Sequence, residues 1–256
     1  EEMGIRTTKF THDDHPIPAH LIGFAIGPFG VYIDEELPYI THFFPKKYPI
    51  HHIKHTVLYL RRVVAFFGNL TKLPFHDLFP SFKVVFLDDP VASMISSCTL
   101  AILNSDYILD PSVIDETIRR RIDFSSIISS QYFGNFILPK YLSHSWATIG
   151  IARFMPLLHI ENMYGSNELK QYLLEQCEEL PRLDDSTMAL SDVHSFSQTL
   201  LPLVQSKSPL VCYMISQIIG KANMEGTIEH FISEAVGNFK SETHDDGHQV
   251  RSPQDS

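Results

Sequence analysis

Strand-like runs end by Leu103 in this 256-residue chain, and helical patterning takes over after them. Strands grouped ahead of helices point to an α+β architecture: a small sheet followed by a mostly helical second half. Phe82-Lys-Val-Val-Phe-Leu87 is short, β-branched and aromatic and runs into Asp88-Asp89-Pro90, which predicts a buried strand ending in a turn. Thr99 to Leu103 predicts a second strand. Further upstream, Leu21 to Tyr32 mixes glycines with short apolar runs, as expected of one or two strands around a turn at Gly27-Pro28. That segment suits the end of a preceding β domain.

Between these runs, Ile53, Val57, Leu60, Val64 and Phe67 recur at alternating intervals of four and three, which is one face of a helix, with Gly68 placed to terminate it. A second helix is expected from about Asp115, a capping residue, through Glu116 at the positive end of the dipole to Phe133 before Gly134. Trp146 to Phe154 predicts a third, which Pro156 should end or kink. Asn167 is placed to cap a helix reaching Leu180, and Ser208-Pro209 to open one whose apolar stripe ends at Gly220. The polar stretch from Ser241 to Ser256 is expected to be disordered. The organisation that follows is 1–33 as the end of an N-terminal β domain with its linker, 34–240 as the main domain, and 241–256 as a tail.

At 29.2 kDa and 44% hydrophobic residues the chain can bury a sizeable core. No apolar run approaches the roughly 18 to 20 residues needed to span a bilayer, so no membrane role is expected. A net charge of −10 argues against general nucleic-acid binding, because phosphate neutralisation needs a surplus of Lys and Arg. Lys46-Lys47, Arg61-Arg62 and Arg119-Arg120-Arg121 read as solvated basic faces. Cys98, Cys177 and Cys212 are unclustered and odd in number, which fits reduced thiols in the cytosol or nucleus. A start at Glu1-Glu2-Met3 with no secretory signal suggests a piece of a longer polypeptide.

The densest histidine group, His51, His52 and His55, has the one-turn spacing of a metal pair but reads as a polar helix face. His12-Asp13-Asp14-His15 and the group at His244, Asp245, Asp246 and His248 read as solvated loops. Four serines at 125, 126, 129 and 130 lack the Gly-x-Ser-x-Gly turn that would expose a nucleophile.

Two motifs carry more information. Ser125-Ser-Ile-Ile-Ser-Ser-Gln-Tyr-Phe-Gly-Asn135 is followed, eleven residues after Asn135, by Trp146-Ala-Thr-Ile-Gly-Ile-Ala152. In order and spacing they resemble the His-Glu-x-x-His-Gln-Trp-Phe-Gly-Asn and Trp-Leu-Asn-Glu-Gly-Phe-Ala segments of gluzincin aminopeptidases. Gly23-Phe-Ala-Ile-Gly-Pro-Phe29, Ile114-Asp-Glu-Thr117 with Arg119-Arg120, and Gln131-Tyr-Phe-Gly134 with Phe136-Ile137 resemble more closely the TBP-associated factor 2 family. That family is a non-catalytic branch of these peptidases within the general transcription factor TFIID. The resemblance covers about residues 20 to 240 and implies a thermolysin-like domain.

A zincin needs two His one helical turn apart, a third ligand from the next helix, and a Glu that takes a proton from the metal-bound water. The resemblance places Ser126 and Ser130 at the His positions, Ile127 at the base and Ile149 at the third ligand. It places Ser96, within Ser93-Met-Ile-Ser-Ser97, at the Glu that holds a substrate's amino terminus. Gln205, just before Lys207-Ser208-Pro209, falls at the oxyanion tyrosine, ahead of a helix. No catalytic group, cofactor or metal ligand is therefore expected. Ile127 and Ile149 are expected to be core residues filling the lost site.

The resemblance implies a nuclear, non-catalytic scaffold subunit of TFIID that supports assembly of the RNA polymerase II pre-initiation complex at core promoters. Its implied partners are other TBP-associated factors and TBP, with promoter DNA reached through the assembly. Two alternatives are an active zinc aminopeptidase with atypical ligands and a peptide-binding module that keeps an open polar groove beside Ser96, Ser126 and Ser130.

Overall fold

A computed structural model describes residues 17–114, 117–184, 189–192 and 200–245, with only the backbone of 239–245. Five strands form one mixed sheet: β1 (Phe29–Ile33), β2 (Ile40–Pro45), β3 (Phe82–Leu87), β4 (Met94–Ser97) and β5 (Leu100–Asn104), in the order β1-β2-β3-β5-β4. The central pairs β2–β3 and β3–β5 are parallel, and the edge strands β1 and β4 are antiparallel to their neighbours. A parallel pair needs a crossover, and α1 (Ile50–Thr71) with the single turn α2 (Phe75–Leu78) makes it between β2 and β3.

Burial alternates along β2: Ile40, His42 and Phe44 are buried while Thr41, Phe43 and Pro45 are half-exposed, the two-residue period of a strand with one covered face. Phe82, Val84 and Phe86 of β3 and Ala101 and Leu103 of β5 continue that covered layer into one core with Ile53, Val57, Leu60 and Phe67 of α1. The α1 stripe is thus the core face that its spacing predicts. The helix does not stop at Gly68, however. It runs to Thr71, whose buried hydroxyl donates to Phe67 O at 2.8 Å, and ends at Lys72, in the left-handed region at φ 55°.

The second half holds α3 (Thr117–Tyr132), α4 (Ser145–Tyr164), α5 (Ser166–Leu183), α6 (Leu200–Ile219) and α7 (Lys221–Asp245). Tyr132, at the end of α3, is fully buried with its ring centroid 5.8 Å from Phe75 and 5.9 Å from Phe79, so α2 and α3 close over the same end of the sheet. Gly134 follows at φ 124°, a conformation that L side chains rarely adopt, and its N–H donates to Ile137 O at 3.0 Å. The expected caps at Asp115 and Glu116 lie outside the described residues.

Several expected boundaries differ. Strand β1 is hydrogen-bonded to β2 from Phe29↔Pro45 to Ile33↔Thr41, so the sheet runs across position 33. The tie is reinforced by Arg61 of α1, whose Nε donates to Asp34 Oδ2 at 2.9 Å and which also pairs with Glu36. Helix α7 continues past 240 to Asp245, and the rest of the expected tail lies outside the described residues. Asn167 is inside α5, with Gly165 in the capping position. Ser208 and Pro209 are buried inside α6 rather than at its start.

Pro156 likewise sits inside α4 without ending it. A helical proline has no N–H for the carbonyl four residues back, which here is Ala152 O. The hydroxyl of Ser129, on α3, donates to that same oxygen. The helix survives its proline because a neighbouring helix supplies the missing donor, and the same bond fixes α3 against α4. Ser129→Ala is expected to cost about 2 kcal/mol, the penalty for a buried carbonyl left unpaired. In Pro156→Ala, where a backbone N–H returns, the same change should cost less than half as much; chemical denaturation of the four-variant cycle measures the coupling.

Candidate functional site

Of the positions that the peptidase frame assigns to chemistry, Ser96 and Ser130 meet where the end of α3 packs on the β4–β5 hairpin. Ser96, Ser97 and Thr99 supply the hairpin side, and Ser130, Gln131 and Asn135 the helix side. Gln131 is fully buried, and its carboxamide bridges the hairpin: Nε2 donates to Ser96 Oγ at 3.0 Å and to Ser97 O at 3.1 Å, while Oε1 accepts from Thr99 N at 3.0 Å. Asn135 Nδ2 donates to the same two oxygens, each at 3.1 Å. Thr99 lies in the left-handed region at φ 58°, so the amide that Gln131 accepts from belongs to the tight turn between the strands.

Ser130 Oγ lies 2.9 Å from Ser96 Oγ and 2.9 Å from Ile127 O. The two amides fill the lone pairs of Ser96, so its proton goes to Ser130, which passes its own to Ile127 O. Ser126 Oγ donates to Ile122 O at 2.9 Å. Both hydroxyls at the histidine positions are therefore used by carbonyls of their own helix.

Ile127, at the base position, is 1% exposed within the core, where a carboxylate would be desolvated without a partner. The expectation that it fills core volume agrees with this burial. Ile149, at the third-ligand position, is half-buried on α4 rather than in the core as expected, and has no donor atom. A tetrahedral zinc needs anionic or imidazole ligands, and this residue set does not fit one. Among the described residues no group of three His, Cys, Asp or Glu side chains is arranged to hold a metal ion.

Gln205 is half-buried within α6, five residues past its first residue, and not ahead of a helix as expected. The landmark Lys207-Ser208-Pro209 marks the helix interior because α6 packs along α4 at this level. Gly150 makes that approach possible. A Cβ built on it would stand 2.8 Å from Cys212 Sγ and 3.1 Å from Ser208 O. Gly150→Ala is expected to lose about 1 to 3 kcal/mol despite alanine's better helix propensity. Cys212→Ala should recover part of the loss in the same thermal melts.

The histidine cluster is held by contacts other than a shared metal, with the rings of His51 and His52 4.4 Å apart edge to face. His51 is exposed, His52 Nε2 pairs with Asp110 Oδ2 at 3.2 Å, and His55 is half-buried beside a cavity. His12-Asp13-Asp14-His15, Asp246 and His248 lie outside the described residues, as do the side chains of His244 and Asp245. Gln131 and Asn135 were not expected to hold the hairpin. Ser129 was missed too, although a helical Pro156 announces a carbonyl at 152 in need of a donor.

No protein-family model matches the chain. Among curated proteins, it is 27% identical over 184 residues to a zebrafish (Danio rerio) protein named "Transcription initiation factor TFIID subunit 2", across 68% of the chain and 15% of that protein. The protein of that name from Caenorhabditis elegans is 33% identical over 175 residues, 67% of the chain and 16% of the relative. The one from Drosophila melanogaster is 25% identical over 219 residues, 84% of the chain and 17% of the relative. The chain thus spans only 15% to 17% of these relatives' own length. Among solved structures, yeast LTA4 hydrolase superposes with a TM-score of 0.71 at 13% identity, covering 91% of this chain and 38% of that one. By sequence the chain is a homologue of the TFIID subunit 2 proteins, and its fold is similar to that of yeast LTA4 hydrolase.

Proposed function

We propose that this chain is a peptidase-derived part of a TFIID subunit and serves there as a non-catalytic scaffold for pre-initiation complex assembly at core promoters. The observation that carries this reading is the use of the former site for internal support. Ser126 and Ser130 spend their hydroxyls on helix carbonyls, and Ser96 receives two amides instead of a substrate amine. Ile127 and Ile149 offer no proton acceptor or metal donor. A surface with net charge −10 favours protein partners over direct promoter contact. The proposed partners are TBP and the other TBP-associated factors, and the proposed location is the nucleus.

Affinity purification of the tagged full-length protein from nuclear extract tests the proposal. Recovery with TBP and its associated factors is the expected result. Recovery as a lone cytosolic hydrolase would overturn it.

A further inference from the structure

An open sheet has two edges, and the two edges of this one differ. Strand β4 is blunted: it is four residues long and ends in Ser96 and Ser97. Strand β1, at the other end of the sheet, is Phe29-Gly-Val-Tyr-Ile33, with no lysine or proline in it, and it pairs with β2 residue for residue, without a bulge. Lysines, prolines and bulges are the devices that keep an open edge from pairing, and β1 has none of them. Among the described residues no further strand pairs with it. We propose that β1 is a docking edge for an extended segment of a partner protein, which adds to the sheet as a further strand with apolar side chains at alternate positions and a Lys or Arg beside Glu35.

Phe29, Val31 and Ile33 stand opposite Pro45, Phe43 and Thr41, the half-exposed residues of β2, so they share the face turned away from the core. Val31 and Ile33 are 56% and 52% exposed there, and the Phe29 ring meets that of Phe43 edge to face at 6.3 Å. An added strand would lay its alternate apolar side chains against this row, the cross-strand contact that stabilises a sheet. The edge is also fixed in place before any partner arrives. Tyr32, on the core side, stacks on His42 with ring centroids 6.0 Å apart, and Asp34, just past the strand, accepts from Arg61 Nε at 2.9 Å. The ordering cost of docking therefore falls on the partner segment alone.

The surrounding charge selects the partner. Asp34 and Glu36 are both paired with Arg61, and Lys54 Nζ lies 5.7 Å from the centre of the Tyr32 ring, on the helix side of the sheet. Glu35 is exposed and makes no ion pair among the described residues. A Lys or Arg at the Ile33 end of the added strand would answer it, and the chain's net charge of −10 favours a basic segment over an acidic one. A second copy of this chain has no basic residue in its β1 to offer and brings a further −10.

The test is amide exchange on the 256-residue chain alone, so its outcome does not depend on which assembly the chain serves in. The probe is a synthetic peptide in which threonine and valine alternate behind an N-terminal lysine, so that antiparallel addition brings the lysine to Glu35. In the free chain the β1 amides that point away from β2 should exchange quickly, and the peptide should slow them at least about tenfold, binding with a Kd on the order of 100 µM. A peptide with proline at its centre should not bind. Val31→Lys should weaken binding about tenfold with little change in melting temperature, because position 31 is exposed. Glu35→Lys should weaken it about threefold, and a peptide carrying glutamate in place of its lysine should recover that loss. Protected outward amides in the free monomer, a dimer that Val31→Lys dissolves, binding no tighter than that of the proline peptide, or binding unmoved by both substitutions would overturn the proposal.

Discussion

Acidification from pH 7 to pH 4 should remove on the order of 4 kcal/mol of stability, because two buried imidazoles must take up protons for which the fold has no place. His42 sits on the covered face of β2 between Ile40 and Phe44, 1% exposed. Burial pulls its pKa from 6.5 down to about 4, with Asp34 opposing the shift. His159, also 1% exposed, is ringed by Phe66, Tyr59 and Phe67 at 4.8, 5.4 and 6.2 Å between centroids, and neither ring nitrogen has a hydrogen-bond partner among the described residues. Burial and the nearby charge of Arg62 lower it to about 4 as well. A folded-state pKa below the unfolded value means that the unfolded chain binds more protons between the two. The stability is therefore fully present above pH 6.5 and is lost as pH falls from there to about 4. His159→Phe, which suits its aromatic surroundings, should flatten that slope and raise stability at pH 5. Urea titrations across this range check both the slope and its relief.

The second large effect is expected at Gln131. Gln131→Ala removes three hydrogen bonds and leaves Ser97 O with one donor and Thr99 N with no acceptor in a half-buried turn, a loss of about 3 kcal/mol. Asn135→Ala should cost about half as much, because Gln131 still covers the same two oxygens. Gln131→Glu separates geometry from charge. It keeps the acceptor for Thr99 N but sets a carboxylate oxygen against Ser97 O, so it should be strongly destabilised at neutral pH. It should recover relative to the parent on acidification, when the protonated acid donates to Ser97 O. Equilibrium unfolding with amide exchange at Thr99 distinguishes these outcomes.

These effects give the Gln-x-x-Gly-Asn frame a structural task of its own. In this chain Gln131 and Asn135 hold the β4–β5 hairpin to α3, Ser129 satisfies the carbonyl that Pro156 exposes, and Gly150 admits α6 against α4. Each is a support for the fold, and none depends on a metal.

What was legible in the sequence follows from the range of the forces involved. The α1 stripe and the β3 run are local patterns, and both elements stand where those patterns put them. Strand β2 was not anticipated, because His42 occupies a core position in Ile40-Thr-His-Phe-Phe-Pro45 and breaks the apolar alternation. Pro156 and Ser208-Pro209 misled as helix punctuation, since local propensity cannot anticipate a donor supplied from another helix or the packing of α6 on α4. The frame residues were placed by the family resemblance, and Ser96 and Ser130 stand beside one another. Gln205 does not join them, because its landmark assumed a helix start that the tertiary packing overrides. The roles of Gln131 and Asn135 depend on a hairpin more than thirty residues upstream, beyond the reach of any periodicity.

Metal analysis with a turnover assay tests most directly the proposal that the peptidase site has become structural. Purified chain, loaded with equimolar zinc and then desalted, is expected to retain far less than one zinc per chain. It should cleave no aminoacyl reporter substrate and melt at the same temperature with and without chelator. One tightly held zinc per chain, with aminopeptidase turnover abolished by chelation, would contradict it.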